Sequence, residues 1–277
     1  MTARLLTGAS LPLNDRGLAY GDGLFETLAV VHGRPQLLRQ HLARLRLGLE
    51  RLQIVGLDLA EVEATLCTMA ATVTASAALK LIVTRGEGLR GYTPPAHPLP
   101  HWFVQTLPWI APTAHTPPAA VRVSSVRLAA QPLLAGLKHL NRLEQVLARL
   151  EFPAPAVDEV LMLNGQEQVV CGGSSNVFCV RDGQLLTPAI TDCGVEGVMR
   201  ASILQACATG EIPIPARITC LTIAELLSAD EVFLTSALRG AWSVASIDAQ
   251  PVRQGAVARQ VAAHWQQPDN RTSWVAP

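Results

Sequence analysis

Lysine occurs at only two positions in the chain, Lys80 and Lys138. Lys138 lies in the run Ala135-Gly136-Leu137-Lys138-His139-Leu140-Asn141-Arg142, beside two further basic side chains. If those three groups converge, the charged form of Lys138 is disfavoured, and a lysine with a depressed pKa is the amine nucleophile that Schiff-base chemistry needs. A surface lysine whose stem lies along apolar neighbours fits the same run, and the local sequence leaves both readings open. Arg44 follows His41 on a helical pattern, one residue off the apolar stripe through Leu42 and Leu45. From there its planar fork can reach round the stripe and grip two oxygens of a phosphate or carboxylate. A solvated helix face is the simpler reading of the same spacing.

Gly194-Val195-Glu196-Gly197-Val198-Met199-Arg200 runs directly into another helical pattern. A helix starting there leaves the N–H groups of Gly197, Val198 and Met199 without intrahelical partners, which makes an anion site, although a glycine-bounded helix start is also common. Neither Walker nor dinucleotide glycine spacing is present. Gly172-Gly173-Ser174-Ser175-Asn176 reads either as a tight turn or as one polar wall of a pocket. Arg85-Gly86-Glu87-Gly88-Leu89-Arg90-Gly91-Tyr92 follows a strand pattern; its glycines allow a tightly folded loop and its arginines suit a carboxylated ligand, as they would an exposed turn. The run from Asn14 to Gly23 has the same ambiguity. His97, His101 and His115 lack a compact ligand spacing, so no metal is expected. There is no G-x-S-x-G elbow and no thiol-nucleophile motif.

The elements that must position these residues fall into two segments. In the first, Leu24 to Val31 is a strand turning at His32-Gly33. A helix then runs from about Leu38 to Leu52, with Leu38, Leu42, Leu45, Leu49 and Leu52 on one face, and a second covers Leu59 to Val73. Strands at Ala78 to Thr84 and Trp102 to Leu107 complete helices against a mainly antiparallel sheet. The Pro-rich stretch 108–118 cannot continue a strand or helix. It is read as a linker between a small N-terminal α/β domain, 1–107, and a larger C-terminal domain, 119–277. The larger segment opens with a strand near Val121 to Val126, the Lys138 loop, and a helix through Leu143, Val146, Leu147 and Leu150. Strands follow at Glu159 to Leu163, Gln168 to Val170, Asn176 to Val180 and Gln184 to Thr187, the last two joined at Asp182-Gly183. A helix over about Gly197 to Ala208, strands near Glu231 to Leu234 and Trp242 to Ile247, and a helix over Ala256 to Trp265 end the pattern. The polar tail from Pro268 is expected to fray.

The chain has 277 residues, 49% hydrophobic and 16% charged, with Lys plus Arg equal to Asp plus Glu at 22 each. That excludes a disordered chain and any global field drawing it to nucleic acid or an anionic membrane. No apolar run reaches membrane-spanning length, and the start lacks the apolar core of a secretion signal. Six scattered cysteines read as reduced, mostly buried small hydrophobes of a cytoplasmic protein. The apolar excess would be covered in part by a partner subunit.

Taken in order, these segments resemble the fold-type IV pyridoxal-phosphate family of branched-chain and D-amino acid aminotransferases and a related lyase. The likeness covers nearly the whole chain. It runs from Tyr20-Gly21-Asp22-Gly23-Leu24-Phe25-Glu26-Thr27 and His41-Leu42-Ala43-Arg44-Leu45 to the Lys138 segment. It continues through Asp158-Glu159-Val160-Leu161, Ser175-Asn176-Val177-Phe178, Gly194 to Arg200 and Glu231-Val232-Phe233-Leu234. The run Leu134 to Leu147 and the loop Arg85 to Tyr92 look like the lyase branch. The resemblance implies an α+β, two-domain subunit with the cofactor, pyridoxal 5'-phosphate, between the domains. It implies a homodimer in which the neighbour completes the pocket. It assigns Lys138 to the cofactor aldehyde and to proton transfer. Arg44 goes to the phosphate, helped by Gly197, Val198, Met199 and Ser236 in the turn Thr235-Ser236, with Ser174, Ser175 and Asn176 lining the cofactor. Tyr20, Phe25, Thr27, Arg90, Tyr92, Asn141 and Arg142 are the substrate candidates. The implied reaction, a step toward folate, converts 4-amino-4-deoxychorismate to 4-aminobenzoate and pyruvate.

One position departs from the family. The glutamate that keeps the cofactor's pyridine nitrogen protonated is replaced by Cys171. A neutral thiol offers little of a carboxylate's stabilisation, and Cys171 would help as a thiolate only if its usual pKa of about 8.5 were lowered. Loss of the full electron sink hurts transamination most, because that reaction holds carbanion charge through two half-reactions. Expelling pyruvate instead makes an aromatic ring. An aminotransferase and a non-catalytic homologue therefore stay as alternatives behind the lyase. Glu167 is close in sequence but belongs to a different place on the strand or turn.

Overall fold

The computed structural model describes residues 4–5, 10–112, 116–152 and 157–266. The expected fraying tail and part of the Pro-rich stretch lie outside the described residues. The chain divides into two compact units, Met1–Ala111 with Leu137–Asn141, and Pro112–Gly136 with Arg142–Pro277.

The first unit contains β1 (Arg4–Leu5), α1 (Arg16–Tyr20), β2 (Gly23–Val31), β3 (Arg34–Pro35), α2 (Leu38–Leu52), α3 (Leu59–Ala71), β4 (Ser76–Thr84) and β5 (His101–Leu107). Its sheet has the order β1-β5-β4-β2-β3, antiparallel except for β1 on β5. Side chains alternate across a strand, so the β2–β4 register sorts the sheet into two faces. Leu24, Leu28 and Val30 with Leu79, Leu81 and Val83 pack on Leu45 and Leu49 of α2 and Val62, Leu66 and Ala70 of α3. The opposite face carries the half-buried Phe25, Thr27, Lys80 and Ile82, with Thr27 directly across from Lys80 and Phe25 from Ile82. The leucine stripe read from the sequence is the buried face of α2. That helix starts after Leu37, a residue with left-handed backbone and no side-chain cap.

Lys138, which follows the Pro-rich stretch in the chain, clusters with this first unit. Leu137 is fully buried in its core. The segment also pairs with β2: Phe25 N donates to the Lys138 carbonyl at 2.9 Å, and Leu140 N donates to the Gly23 carbonyl at 3.0 Å. A long-range strand pairing outweighs chain order, and no local pattern encodes it.

The second unit contains β6 (Ala119–Leu128), α4 (Leu143–Glu151), β7 (Glu159–Asn164), β8 (Val169–Gly172), β9 (Asn176–Arg181), β10 (Gln184–Pro188) and α5 (Val198–Thr209). β11 (Ala216–Thr219), α6 (Ile223–Ser228), β12 (Glu231–Ser236), β13 (Gly240–Ile247), β14 (Gln250–Pro251) and α7 (Val257–Gln266) follow. The sheet order is β11-β10-β9-β12-β13-β6-β7-β8, with β14 on β13. It is mixed, parallel at β10/β11, β13/β6 and β6/β7. Strands β7, β9 and β12 are buried along most of their length, which explains their unbroken apolar runs. Phe178 and Phe233 stack at 5.3 Å across the central pair. The expected Asp182-Gly183 turn has the positive φ angles, 50° and 71°, of a two-residue hairpin. The short α6 was not read from the sequence, although its capping box, Thr222 with Glu225, is a recognised start signal. On α4 the apolar positions are turned outward, with Leu143 76%, Val146 51%, Leu147 52% and Leu150 71% exposed.

Gly86 has φ of 88°, and a Cβ there would lie 1.9 Å from the Leu99 carbonyl oxygen. Gly183 also has positive φ, but nothing lies within 4 Å of its added Cβ. Gly183→Ala should therefore lose only the ~1–2 kcal/mol of left-handed backbone strain. Gly86→Ala should lose clearly more, read as the larger fall in thermal midpoint.

Candidate functional site

The sheet face opposite α2 brings together both lysines of the chain. The Lys138 ammonium stands 4.4 Å from the centroid of the Phe25 ring, and the Lys80 ammonium 5.6 Å from the same centroid. Both distances are within the range at which an aromatic face attracts a cation. Phe25 and Thr27, two of the substrate candidates, thus share a face with the candidate nucleophile. Lys80 was not singled out from the sequence. The only signal it gave was the scarcity of lysine.

On the covered face, Glu26 of β2 is fully enclosed by two basic residues of α2. His41 Nδ1 lies 2.6 Å from one carboxylate oxygen, and Arg44 Nε donates to the other at 2.8 Å while its terminal nitrogen also pairs with Glu26. Burial alone would raise the Glu26 pKa, but the Arg44 charge and the His41 hydrogen bond prevail and bring it down to about 2. Burial pushes His41 below its ordinary value, more than the bond to Glu26 raises it, with the Arg44 and Lys138 charges adding to the fall. Arg44, the expected anion grip, is thus anchored through Glu26. Glu26 and His41 lie within the family-like motifs, and no local spacing marks either as a partner of Arg44.

The loops at 14–23 and 85–92 are held by a shared carboxylate. Asp22 pairs with Arg16 and Arg85, both at 2.8 Å, and Arg85 also donates to the carbonyls of Leu52 and Gln53. Burial opposes the ionisation of Asp22, yet the two guanidiniums keep its carboxyl below the usual range. Arg85 is therefore committed to the loop. Arg90 is exposed, and Tyr92 packs edge-on against Tyr20 at 5.4 Å over Arg16. Asn141 donates to the Gly21 carbonyl and fills the space where a Gly21 Cβ would sit.

The second unit presents the helix start read from the sequence as an anion site. Helix α5 starts at buried Val198 and Met199, and its cap Gly197 supplies no side-chain bond. Asn176 aligns this start: its amide donates to the Val195 carbonyl, and its oxygen accepts from Gly197 N. A Cβ on Gly197 would fall 2.0 Å from that oxygen, so only glycine allows the approach. Thr235 lies across the strand pair from Asn176, and its buried hydroxyl has no hydrogen-bond partner among the described residues. Ser236 accepts from Arg239 N in the next turn. An uncapped buried helix start beside an unsatisfied hydroxyl suits a phosphate.

Cys171 lies on β8. Burial first, then the nearby Glu159 carboxylate, push its thiol up to about 12, so it is neutral at ordinary pH. Glu159, buried at the start of β7, accepts from Ser174 N and from the Ser174 and Ser175 hydroxyls. Those two serines are therefore engaged with a carboxylate that the sequence did not single out. Glu167 is exposed and bound to Arg127, away from Cys171's core cluster. Among the described residues no group of His, Cys, Asp and Glu could hold a metal ion.

The family model for amino-transferase class IV matches residues 23–247. Aminodeoxychorismate lyase of Vibrio harveyi is 34% identical over 242 residues, 86% of this chain and 88% of the relative. The crystal structure of 4-amino-4-deoxychorismate lyase from Pseudomonas aeruginosa superposes with a TM-score of 0.88 at 45% identity, covering 95% of this chain and 97% of that one. A PLP-bound hypothetical aminotransferase from Mycobacterium tuberculosis shares the fold, with a TM-score of 0.80 at 22% identity over 96% and 95% of the two chains.

The Glu26 cluster sets how stability depends on pH. An unfolded glutamate takes up its proton near its ordinary value but the folded one only near 2, so this stabilisation is complete above about pH 4.5 and lost as the pH falls further. His41 acts with the same sign at higher pH, since its folded value lies below the ordinary ~6.5 and the unfolded state binds the extra proton. Thermal midpoints should fall in two stages on acidification, and His41→Asn should remove the upper one. Glu26→Gln should cost on the order of 3 kcal/mol at neutral pH, because it leaves Arg44 without its anion.

Proposed function

We propose, for a chain that belongs to the amino-transferase class IV family, the conversion of 4-amino-4-deoxychorismate to 4-aminobenzoate and pyruvate, with pyridoxal 5'-phosphate carried on Lys138. The observation that carries this reading is the likeness to the Pseudomonas lyase along nearly the whole chain. Each unit, taken by itself, offers groups that suit one part of the cofactor. Lys138 offers an amine to its aldehyde, and the uncapped α5 start with the unpartnered Thr235 hydroxyl offers donors to its phosphate. Gly197, Val198, Met199 and Ser236 are the proposed phosphate residues together with Arg44, oriented by Glu26. Asn176 sets the helix start, and Ser174 and Ser175 hold the neighbouring Glu159.

When bound, the cofactor draws electrons from the carbon that bears the substrate nitrogen. Lys138 would hold the cofactor through its aldehyde, and when free its Nζ would take the proton from the amine-bearing ring carbon and return a proton to the departing pyruvate carbon. The Phe25 ring steadies the resulting ammonium. Cys171 brings a neutral sulfur rather than a charge to the place where the family has a glutamate. That weakens stabilisation of carbanion charge, a loss least damaging to a reaction whose product gains an aromatic ring. Arg90, Tyr92, Tyr20 and Arg142 are the proposed substrate contacts, whereas Asn141 keeps the Gly21 turn in shape.

A second copy is the proposed cover for the outward stripe Leu143, Val146, Leu147 and Leu150 on α4. Apolar side chains at that helical spacing, left exposed in the isolated chain, are what an obligate dimer buries. The six cysteines are all unbridged, which suits the proposed cytoplasmic location. No helix of the described residues is long and apolar enough to cross a membrane.

Borohydride reduction of the cofactor-loaded protein followed by peptide mapping should label Lys138, with Lys80 as the internal comparison. A label on Lys80 alone would end this assignment. Given 4-amino-4-deoxychorismate, the enzyme should release both products, and Lys138→Ala should slow it by on the order of a thousandfold. Stoichiometric amination of the cofactor by an amino acid donor, without 4-aminobenzoate, would select an aminotransferase instead. Cys171→Glu should keep or raise the lyase rate. Leu147→Glu with Leu150→Glu should convert a dimer to monomers in light scattering.

A further inference from the structure

The segment 89–93, which carries the substrate candidates Arg90 and Tyr92, is not held by packing. Leu89 is 90% exposed and Tyr92 84%, and Arg90 and Thr93 are exposed as well. A loop that buries so little apolar surface keeps one shape only if something else fixes its backbone. Arg16 of α1 supplies that hold. Its side chain is buried, and its Nε donates to Asp22 at 2.8 Å. The rest of its fork reaches three consecutive carbonyls: Nη1 donates to Gly91 at 3.2 Å and to Thr93 at 3.4 Å, and Nη2 to Tyr92 at 2.8 Å. The loop also closes onto the stem of this arginine, since a Cβ on Gly88 would fall 2.8 Å from Arg16 Cδ. Backbone bonds lace the start of the loop to the same stretch, from Arg16 N to the Gly86 carbonyl at 2.9 Å and from Gly88 N to the Asn14 carbonyl at 3.0 Å.

A planar guanidinium offers several donors in fixed directions, which a single ammonium does not. Asp22 balances the charge, and the remaining N–H groups are committed to the backbone on either side of Tyr92. The loop is thereby ordered before any ligand arrives, so binding does not bear the entropy loss of ordering it. We infer that Arg16 is a positioning residue for the substrate, acting through the backbone from which Arg90 and Tyr92 project and setting affinity more than the rate of the chemical step. This inference rests on the reading of Arg90 and Tyr92 as substrate contacts.

The test uses the cofactor-loaded enzyme with 4-amino-4-deoxychorismate and compares Arg16→Lys, Gly88→Ala, Arg90→Ala, and Arg16→Lys combined with Arg90→Ala. Lysine keeps a positive charge for Asp22 but cannot span three carbonyls. Gly88→Ala presses on the same contact from the loop side with Arg16 intact, and it carries the test alone if Arg16→Lys fails to fold. Arg90→Ala, which removes a charged contact, should raise KM by on the order of tenfold or more. Arg16→Lys and Gly88→Ala should each raise KM by on the order of tenfold with kcat within about threefold of wild type, the mark of lost binding. In the double variant Arg16→Lys should add clearly less than it does alone, because both changes act on one contact. Trypsin should also cut after Arg90 faster in Arg16→Lys than in wild type. Unchanged KM in Arg16→Lys and Gly88→Ala, a fall in kcat at unchanged KM, or effects that multiply in full in the double variant overturn the inference. A wild type that releases no 4-aminobenzoate, or an Arg90→Ala enzyme with unchanged KM, sinks the functional reading and this role of Arg16 with it. Normal turnover and a raised KM in Arg90→Ala beside an unchanged Arg16→Lys sink the role of Arg16 alone.

Discussion

Two backbone hydrogen bonds, from Phe25 N to the Lys138 carbonyl and from Leu140 N to the Gly23 carbonyl, determine where the proposed nucleophile, Lys138, stands. They make a distant loop an extra strand-like segment on the edge of β2, and the burial of Leu137 in the same core secures it. A flexible lysine on a free loop would sample many positions. Pinned on both sides, its backbone leaves only side-chain torsions to settle, and the Phe25 ring supplies a resting place for the ammonium. Orientation of this kind is the larger part of what a protein contributes to covalent catalysis.

The sheet that receives Lys138 also separates two kinds of charge. Its covered face encloses Glu26 between His41 and Arg44, a cluster in which each ionised group has a partner. That arrangement holds a guanidinium in a fixed direction through a buried carboxylate, so its orientation does not depend on a ligand being bound. The opposite face holds lysines whose charges are shared with one aromatic ring. Alternation along β2 places Glu26 and Phe25 on these two faces with a single step of chain, so structural and reactive charge stay apart without intervening residues.

In the second unit the anion end is built from backbone and small polar groups rather than from formal charge. Asn176 ties Gly197 to the strand, and the close approach requires glycine at that position. Cys171 extends this economy of charge. Buried beside Glu159, its thiol keeps its proton, and that carboxylate is engaged by Ser174 and Ser175. A reaction driven by aromatisation tolerates such a site; one that must store a carbanion would not.

Sequence by itself determined the elements and their chemistry. The leucine spacing from Leu38 to Leu52 defines α2 to the residue, the apolar runs define β7, β9 and β12, and Asp182-Gly183 defines a hairpin, because each depends on neighbours within one turn or strand. The rarity of lysine and the motifs around Lys138, Arg44 and Gly197 likewise marked the candidate residues and their likeness to one family. Tertiary structure alone decided who faces whom. It moved the Lys138 segment to the first unit, committed Arg85 and Asn141 to loop geometry, gave Arg44 to Glu26, turned the apolar stripe of α4 outward, and set Lys80 and Lys138 on one aromatic ring. These outcomes follow from strand register and burial between residues far apart in the chain, and no local periodicity carries that information.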